Sequence, residues 1–422
     1  MQQSDIRASI VIVADTLFYP PRRNGFSVRY QPLVLELAKR GYLIDIIVLN
    51  KYGEDYTSTD IKELGKLCNR IDVISAETPQ QSTIRRFIKK VSNFSRRLLP
   101  FGIPYHLIDN NTRYYQNSIQ KLLAKRRPYD TGIGVGVGGI NANILLTLEK
   151  ETRPRKVICD FVDSAYLLYK RSNSQMKAAP NPLVRLEMTK TKEWENTLCK
   201  RCECVYISDK DARTVDGTHA HIIPNCIVED SFDKSRIISL DSPNIAFLGN
   251  MSYPPNIDAC LYLITNILPA VRKKISDIHL YIIGRHPSEE LLRHSNVPNI
   301  HFTGEVENIW DYIRSVDTFV FPMQSGAGLQ NKVLEAMYAG KPVVTSPIGN
   351  EGIGAENGVD AYIANNLEEY IESIEDAISN GDKVGNCARE YIQKHYSSHS
   401  LANSFERLLT VSHMQTVHIH SQ

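Results

Sequence analysis

The chain has 422 residues, of which 42% are hydrophobic and 23% are charged. Composition of this kind belongs to ordinary globular proteins and excludes disordered and fibrous classes, and the length suits two domains of roughly 200 residues each. The 49 basic and 47 acidic side chains nearly cancel, so no overall charge would recruit nucleic acid as a partner. No apolar run approaches the roughly 20 residues of a membrane span, and the N-terminal sequence MQQSDIRAS contains no long apolar signal region. We therefore expect a cytoplasmic protein.

Strand-like runs alternate with helical patterns along the chain, which predicts βαβ units on parallel sheets. A first series of strands is expected at 9–14, 44–49, 71–75, 129–135, 156–161 and 204–208. A second series is expected at 244–249, 278–284, 299–304, 317–323 and 341–347. The predicted fold is α/β, with two doubly wound Rossmann-like domains facing an interdomain cleft, since open α/β sheets bind ligands at the carboxyl ends of their strands.

The polar stretch at 231–243 divides the two series and predicts the domain boundaries. We expect an N-terminal domain at 1–230, a linker at 231–243 and a C-terminal domain at 244–396. An amphipathic helix at 397–412 is expected to pack back on the N-terminal domain, and residues 413–422 are expected to form a flexible tail.

A glycine-rich turn in the first domain matches the dinucleotide-binding spacing GxGxxG. It contains Gly134, Gly136 and Gly139, with Asp160 about twenty residues further on. The preceding strand is short and interrupted by glycine, and the match lies in the middle of the domain. These features favour a glycine-rich strand-to-helix turn at the cleft over a nicotinamide site.

Two further motifs contain residues that can bind metals. The cluster CKRCEC at 199–204 is followed by HAH at 219–221, but the spacing is not that of two zinc knuckles, and packing of reduced thiols at a helix end is favoured. Asp209 and Asp211 form a DxD string, which we interpret as a helix cap because Ser208 precedes it. We therefore expect no metal site.

Segment 321–353 has the pattern most typical of a phosphate site. An apolar strand leads into the small-residue loop SGAG and then into a helix that carries Asn331, Lys332 and Glu335. Loop glycines allow backbone N–H groups to approach a phosphate, and the helix N-terminus adds its positive dipole end. The three side chains share one helix face, where a cation and a carboxylate could hold a diphosphate and a ribose diol. A surface Lys–Glu pair is the alternative interpretation.

Four segments extend this pattern in a fixed order: FLGNMSYPPNIDACLYL, YIIGRHPSEELL, VPNIHFTGEVENIWDYIRSVDTFVFPM and NKVLEAMYAGKPVV. Their order resembles the C-terminal half of family 4 glycosyltransferases, which have the GT-B fold. QNKVLEAM is similar to a motif of a bacterial polysaccharide-assembly branch of that family. The N-terminal half is similar more loosely, through Asn24-Gly25 and CDFVDSAYLLYKR. The resemblance implies an acceptor-side first domain and a second domain that binds a nucleotide sugar.

The resemblance also assigns residues to the donor site by their positions in the motifs. Glu335 would hold the donor ribose, the turn at 326–332 would form the diphosphate cradle, and Arg285 would lie near the nucleotide. The donor-binding residues implied in this way are Gly25, Gly249, Asn250, Arg285, Gly326, Gly328, Leu329, Asn331, Lys332 and Glu335.

The chain departs from the family pattern in three respects. Ala327 stands where the family has another Glu, which affects contacts to the donor sugar. The sequence at 249–252 replaces the usual Arg/Lys pair, so stabilisation of the leaving group is expected from Lys332, Arg285 or the loop at 22–23. The catalytic His of the family has no clear counterpart.

The end of the strand KVICDF carries the candidate acceptor-side groups. Asp160 and Asp163 stand where such groups belong, and we predict a direct catalytic role for either one. A helix N-cap is the alternative role for these carboxylates.

Segment 82–102 has an apolar stripe at helical spacing and a basic opposite side without acidic residues. The basic side chains that we expect to face a membrane are Arg85, Arg86, Lys89, Lys90, Arg96 and Arg97. This pattern is typical of a helix lying on anionic lipid. The alternative is a helix that buries its apolar face and leaves a solvated basic rim.

We expect a metal-independent, anomer-retaining glycosyltransferase of bacterial surface polysaccharide assembly, without a cofactor. Its partners would be a nucleotide-sugar donor, a glycan or polyprenyl-linked acceptor and the inner face of the cytoplasmic membrane. A sugar-nucleotide 2-epimerase of the same fold and a catalytically inactive binding subunit are the alternatives, the latter suggested by Ala327 and the missing basic pair.

Overall fold

The structure of the protein is a computed structural model. It describes residues 6–20, 25–51, 53–76, 102–108, 111–174, 181–216, 219–227, 232, 235–325 and 329–410. The chain forms two compact units. Unit 1 comprises residues 1–224 and 401–422, and unit 2 comprises residues 225–400.

Unit 1 contains a parallel sheet of seven strands in the order β3-β2-β1-β4-β5-β6-β7. The strands are β1 (Ala8–Ala14), β2 (Tyr42–Asn50), β3 (Arg70–Ser75), β4 (Thr131–Val135), β5 (Lys156–Val162), β6 (Glu203–Tyr206) and β7 (Ala220–Ile222). The helices of this unit are α1 (Gly25–Lys39), α2 (Ser58–Leu64), α3 (Thr112–Leu123), α4 (Ile140–Leu146), α5 (Ala165–Ser174), α6 (Pro182–Cys199) and α7 (Asp209–Ala212). The strand order reverses between β1 and β4, so the unit is doubly wound.

Unit 2 contains a parallel sheet of six strands in the order β10-β9-β8-β11-β12-β13. The strands are β8 (Asn244–Leu248), β9 (His279–Ile283), β10 (Ile300–Gly304), β11 (Thr318–Phe321), β12 (Val343–Thr345) and β13 (Tyr362–Ile363). The helices are α8 (Pro254–Tyr262), α9 (Leu268–Val271), α10 (Glu289–Leu292), α11 (Ile309–Ser315), α12 (Asn331–Tyr338), α13 (Pro347–Asn350), α14 (Leu367–Asn380), α15 (Asp382–His395) and α16 (Ser398–Thr410), the last of which crosses into unit 1. Here the strand order reverses between β8 and β11.

Helices cover the sheets, and this explains why the central strands are buried along their length rather than at alternate positions. Every residue of β8 and of β11 is buried. The same holds for the last five residues of β1 and for all of β4.

The C-terminal helix α16 packs on unit 1 after the chain has passed through unit 2. Its residues Leu401, Ala402, Phe405 and Leu408 are buried. Arg40, which directly follows α1, donates hydrogen bonds to Asn403 (2.8 Å) and Glu406 (2.9 Å). The helix therefore completes the hydrophobic core of unit 1.

The prediction of two doubly wound Rossmann-like sheets is confirmed, and each predicted strand is present. Strands β7 and β13 were not predicted. The change from unit 1 to unit 2 falls at Pro224–Asn225, earlier than the predicted linker at 231–243. Within that stretch, the backbone N–H groups of Arg236 and Ile238 donate to side chains of α11, both at 2.8 Å, which holds the stretch on unit 2.

Four sequence predictions concern parts of the chain outside the described residues. These parts are the loop at 22–23, residues 82–101 of the basic segment, the tail at 413–422, and Gly326, Ala327 and Gly328. Within the described ranges, none of the helices combines the length and the apolar character needed to cross a bilayer.

The two metal motifs take the structural roles favoured for them. Cys199, Cys202 and Cys204 are buried in the core of unit 1 as free thiols. His221 instead contacts Glu203, its Nε2 lying 2.7 Å from the carboxylate. Ser208 caps α7 by accepting a hydrogen bond from the backbone N–H of Asp211.

Candidate functional site

The reversal of strand order in unit 2 leaves a crevice at the carboxyl ends of β8 and β11, the usual ligand position in open α/β sheets. The loop at 249–253 leaves β8, and the segment that follows β11 leads into α12. The N-terminus of α12 begins at Asn331. The structure therefore brings two of the predicted donor-binding segments to one edge of the sheet.

Lys332 extends from the first turn of α12 into this crevice. Its Nζ donates to Asn256 Oδ1 (2.5 Å) and to Met323 Sδ (3.2 Å). It also lies 4.7 Å from the ring centroid of Phe247 and 5.9 Å from that of Phe321, which is cation–π distance. No carboxylate lies within ion-pair distance of Lys332 in the described part of the chain. An amide, a thioether and two aromatic faces thus hold the ammonium group.

Burial lowers the pKa of Lys332 from 10.5 to about 8. Desolvation disfavours the charged form, and the surrounding dipoles offset only part of that cost. The Lys332 side chain is therefore mostly protonated at pH 7. An anionic ligand bound beside it would raise its pKa and favour the charged form further.

Asn256 is a residue of this site that sequence reasoning missed. It is buried at 6% exposure, and its Nδ2 donates to the backbone O of Asn250 at 2.9 Å while its Oδ1 accepts from Lys332. Asn256 therefore fixes the loop after β8 and the ammonium of Lys332 at the same time. The available sequence signal was an amide residue in the helix start PPNIDACLYL, close after the loop that leaves β8.

The predicted donor-binding residues Gly249, Asn250 and Arg285 lie together at the ends of β8 and β9. The N–H of Met251 donates to the backbone O of Arg285 at 2.9 Å. Gly284 has φ +147°, and a Cβ there would lie 1.7 Å from the backbone O of Gly249, so only glycine permits this approach of the two loops. The Arg285 side chain is exposed beside them.

The remaining predicted residues of the α12 segment lie on or before that helix. Leu329 and Glu335 are half-buried, whereas Asn331 is exposed at the helix start. Of the predicted cradle at 326–332, residues 329–332 are described.

A cavity of about 380 Å³ opens at the carboxyl ends of β11, β12 and β13. Its lining residues include Tyr262, Met323, Gln324, Ser346, Asn365 and Tyr370. Ser346 donates to the backbone O of Met323 (2.6 Å) and caps α13 by accepting from Gly349. Since Met323 also contacts Lys332, the cavity adjoins the ammonium site. Sequence reasoning did not find this cavity, because its lining comes from four separate segments.

Unit 1 has an equivalent crevice where its strand order reverses between β1 and β4. Asp15 follows β1, Lys51 follows β2, and Asn141 lies in the first turn of α4. Lys51 Nζ lies 2.6 Å from Asp15 Oδ1, and Asn141 Nδ2 donates to the same oxygen at 2.6 Å. A Cβ on Gly136 would lie 3.0 Å from Asp15 Oδ2, so the glycine-rich turn predicted here leaves room for this carboxylate. The predicted Gly25 is the first residue of α1 in the same unit.

Asp160 is not placed as predicted. The side chains of Asp160 and Arg29 are both 0% exposed and form an ion pair at 2.7 Å, and Tyr30 Oη donates to the same carboxylate at 2.6 Å. A fully buried, ion-paired carboxylate holds α1 against β5 and is not accessible to a substrate. This corrects the prediction that Asp160 contacts the acceptor, and the N-cap alternative also fails because Ser164 caps α5.

Asp163 lies just beyond β5 and is half-buried. The preceding Val162 has φ +66°, a strained conformation for a β-branched residue. Its N–H is held by Asp160 Oδ1 at 3.1 Å. Strain of this kind concentrates near functional sites, and it keeps Asp163 a candidate acceptor-side residue.

Comparison with known proteins gives a family match that lies in unit 2 and includes the crevice of that unit. Residues 242–380 match the family model described as Glycosyl transferases group 1. A protein from the cps region of Klebsiella pneumoniae is 30% identical over 42% of this chain and 46% of its own length. Phosphatidyl-myo-inositol mannosyltransferase of Mycobacterium leprae is 29% identical over 31% of this chain and 36% of its own length. The chain thus spans less than half the length of these relatives.

The fold is similar to that of solved structures over nearly the entire chain. Sucrose-phosphate synthase from Thermosynechococcus elongatus superposes with a TM-score of 0.63 at 13% identity, covering 95% of this chain and 98% of that one. The two Rossmann-like units therefore have the GT-B fold. Lys332, Asn256 and the ends of β8 and β9 all lie within residues 242–380, the part of the chain that matches the Glycosyl transferases group 1 model.

Proposed function

We propose that the protein is a glycosyltransferase that moves a sugar from a nucleoside-diphosphate donor to a glycan or lipid-linked glycan. The observation that carries this proposal is the Lys332 ammonium at the carboxyl ends of β8 and β11. Open α/β sheets bind ligands at that position, and the group 1 domain match covers the whole crevice.

The reaction breaks the bond between the anomeric carbon of the sugar and the terminal phosphate oxygen of the donor. Negative charge then grows on the departing diphosphate. A preorganised ammonium stabilises such charge strongly, because the protein has met the cost of orienting it before the reaction begins. Lys332 would contact the diphosphate in this way, the N–H groups at the start of α12 would add to it, and Glu335 would hold the ribose diol.

We propose retention of the anomeric configuration and turnover without a metal ion. The proposal of metal independence rests on the chemistry of the crevice, where a lysine and a helix N-terminus supply the positive charge that a divalent ion would otherwise bring. Retention rests on the resemblance to family 4 alone and is tested by following the anomeric proton of the product by NMR.

The acceptor is proposed to be a membrane-linked glycan of bacterial surface polysaccharide assembly. One relative lies in a cps region and another is named for a phosphatidyl-inositol acceptor, which supports this class. Asp15, Lys51 and Asp163 lie at the carboxyl ends of the unit 1 strands, and we propose them as acceptor contacts. Asn141 is buried and positions Asp15 by donating to its Oδ1. Peripheral attachment to the inner membrane face is proposed through the basic segment at 82–102.

Binding of nucleoside diphosphates, measured by thermal shift, tests the donor site. A diphosphate of the correct base at 100 times its dissociation constant should stabilise the parent by about 2.7 kcal/mol. Lys332→Gln should lose this stabilisation. Lys341→Gln is the matched control, since Lys341 is also half-buried in unit 2, with a pKa lowered by burial, but precedes β12 at the opposite edge.

The proposal fails if no diphosphate stabilises the parent, or if both lysine variants respond as the parent does. Incubation of the donor sugar nucleotide alone then separates transfer from epimerisation. An altered sugar nucleotide without an acceptor would indicate an epimerase, whereas a product that requires the acceptor supports transfer.

A further inference from the structure

Three side chains of metal-binding type meet at the amino ends of neighbouring strands in unit 2. Asp241 precedes β8, His279 is the first residue of β9, and His301 is the second residue of β10. One ligand atom from each lies within 4.8 Å of the other two. His279 Nδ1 is 3.0 Å from His301 Nε2 and 3.9 Å from Asp241 Oδ2.

Neighbouring groups fix this cluster before any ligand arrives. The N–H of Asp241 donates to Tyr281 Oη at 3.0 Å, and its backbone O accepts from Asn244 Nδ2 at 3.0 Å. The ring of Tyr281 stacks on His301 with centroids 4.5 Å apart and planes 16° apart. Tyr281 therefore orients both the segment that carries Asp241 and the ring of His301, as outer residues do in metal sites.

The two imidazoles face each other with ring nitrogens in contact and planes 15° apart. At most one proton can lie between these nitrogens, so one of them presents a lone pair. The Asp241 side chain is 68% exposed and can move toward the nitrogens.

We propose that Asp241, His279 and His301 bind a divalent transition-metal ion, with zinc as the best match. Two imidazoles and one carboxylate are a usual zinc ligand set, and water completes the coordination. Zinc–nitrogen bonds of about 2.0–2.1 Å place tetrahedral ligand nitrogens about 3.3 Å apart, so a small separation of the two rings accommodates the ion. The hard ions magnesium and calcium prefer oxygen ligands.

This site is separate from the donor crevice and independent of the proposed transfer reaction. Strand β9 runs from His279 to the Gly284 turn, and at about 3.3 Å per residue the two ends lie about 17 Å apart. An ion there would join the segment before β8 to β9 and β10. Its role is therefore to secure the edge of unit 2 rather than to act on the donor.

Zinc titration of the purified protein tests the site. Since His413, His418 and His420 could bind zinc in the tail, they are replaced by Gln in every protein used. We expect one zinc ion per chain, with affinity reduced at least a hundredfold in His279→Gln/His301→Gln and at least tenfold in Asp241→Asn. Asp241 is exposed, so its variant remains informative if the double variant does not fold.

The matched control is His219→Gln/His221→Gln, a second histidine pair beside a carboxylate in unit 1. It should retain the zinc affinity of the parent. Cobalt titration adds a spectroscopic measurement, because a tetrahedral cobalt site with nitrogen and oxygen ligands absorbs visible light. Zinc affinity that is unchanged in both the double variant and Asp241→Asn, or lost instead in the control pair, would overturn the proposal.

Discussion

Lys332 carries its charge at a buried position, where desolvation makes the charged form less favourable. Its folded-state pKa of about 8 lies below the ordinary 10.5, so the unfolded chain binds more protons than the folded chain between these values. Stability should therefore rise as pH increases from 8 toward 10.5, and the protonated lysine opposes folding at neutral pH. A residue that costs stability and lies in a crevice is typical of a functional site.

Lys332 and Glu335 both lie in the first turns of α12, but their replacement should affect different kinetic constants. Lys332→Ala should lower kcat by about 10²–10³, as loss of one oxyanion donor does, because charge on the diphosphate grows in the transition state. Glu335→Gln should mainly raise the donor KM, since the ribose hydroxyls do not change during the reaction. Steady-state kinetics measure both effects, and a melting curve excludes unfolding. Near-parental constants in both variants would remove α12 from the donor site.

Glu195 predicts a pH dependence of stability within unit 1. Its carboxyl accepts from Ser164 Oγ at 2.9 Å, and burial raises its pKa from 4.5 to about 7. The folded chain therefore holds this proton more tightly than the unfolded chain, and stability falls as pH rises between 4.5 and 7. The Glu195→Gln variant has no carboxyl at this position and does not show this pH dependence. Between pH 5 and pH 8 the unfolding free energy of the parent should therefore fall by about 2 kcal/mol relative to that of the variant.

Urea unfolding at the two pH values measures this difference. Glu193→Gln, on the exposed side of the same helix, is the control and should follow the parent. If the difference between Glu195→Gln and the parent is independent of pH, the carboxyl of Glu195 is not the buried titrating group.

The position of a residue relative to the sheet could be predicted from the sequence where a motif had a fixed spacing, but not where the decisive contact was distant in the chain. Lys332 follows a small-residue loop and could be placed at the crevice. Asn256 contacts it from 76 positions away in the chain. Asp160 follows a strand as acceptor-side groups do, but its burial depends on Arg29, which is 131 positions away.

At the scale of elements, the Asp160–Arg29 pair fixes α1 on β5. Arg29 Nη1 also donates to the backbone O of Ile223 (2.9 Å), and its guanidinium lies 5.3 Å from the ring centroid of Phe405. The buried guanidinium of Arg29 thus links α1 to β5, to the segment that follows β7 and to the C-terminal helix α16.

Asp160→Asn should destabilise the protein by about 3–5 kcal/mol, because Arg29 would remain buried without its counter-charge. Urea unfolding measures the effect. Lys39→Gln on the same helix breaks the exposed pair with Glu36 and should cost about 0.5 kcal/mol or less. If Asp160→Asn and Lys39→Gln lower the unfolding free energy by the same small amount, the buried pair does not hold α1 on β5.

The basic segment at 82–102 should bind anionic vesicles. Replacing Arg85, Arg86, Lys89 and Lys90 by Gln should release the protein from vesicles while leaving donor binding intact, since each basic residue near such a surface contributes about 1 kcal/mol. Binding should also weaken with salt, which screens the attraction over about 8 Å at physiological ionic strength. Vesicle sedimentation measures it, and equal binding by variant and parent would favour a helix that buries its apolar face.

Sequence patterns predicted most strands because short runs rich in apolar and β-branched residues, bounded by turn residues, are recognisable without tertiary contacts. Strands β7 (AHI) and β13 (YI) are short and lack the run of β-branched residues that marks the equally short β12 (VVT). They exist because each pairs with a neighbour already in the sheet, β6 and β12. Only the three-dimensional structure could supply that partner.

At the scale of the whole molecule, turnover should persist without free metal ions. EDTA should leave kcat within about twofold of the parent value, because the cations and dipoles of the crevice meet the phosphate charge. The assay belongs well below the melting temperature, since removal of zinc from the site at Asp241 would change stability without touching the donor crevice. Loss of activity in EDTA that magnesium or manganese restores would contradict this account.

The chain leaves unit 1 after Pro224 and returns to it at Leu401, and this order has a consequence for biosynthesis. Unit 1 lacks Phe405 and its neighbours until α16 has emerged from the ribosome. At about 5–20 residues per second, residues 225–400 take about 10–35 s to synthesise. During that time unit 2 can fold completely, whereas the core of unit 1, which is synthesised first, remains exposed where α16 will pack. The N-terminal unit therefore matures last, and a chain that stops short of α16 leaves it unfinished.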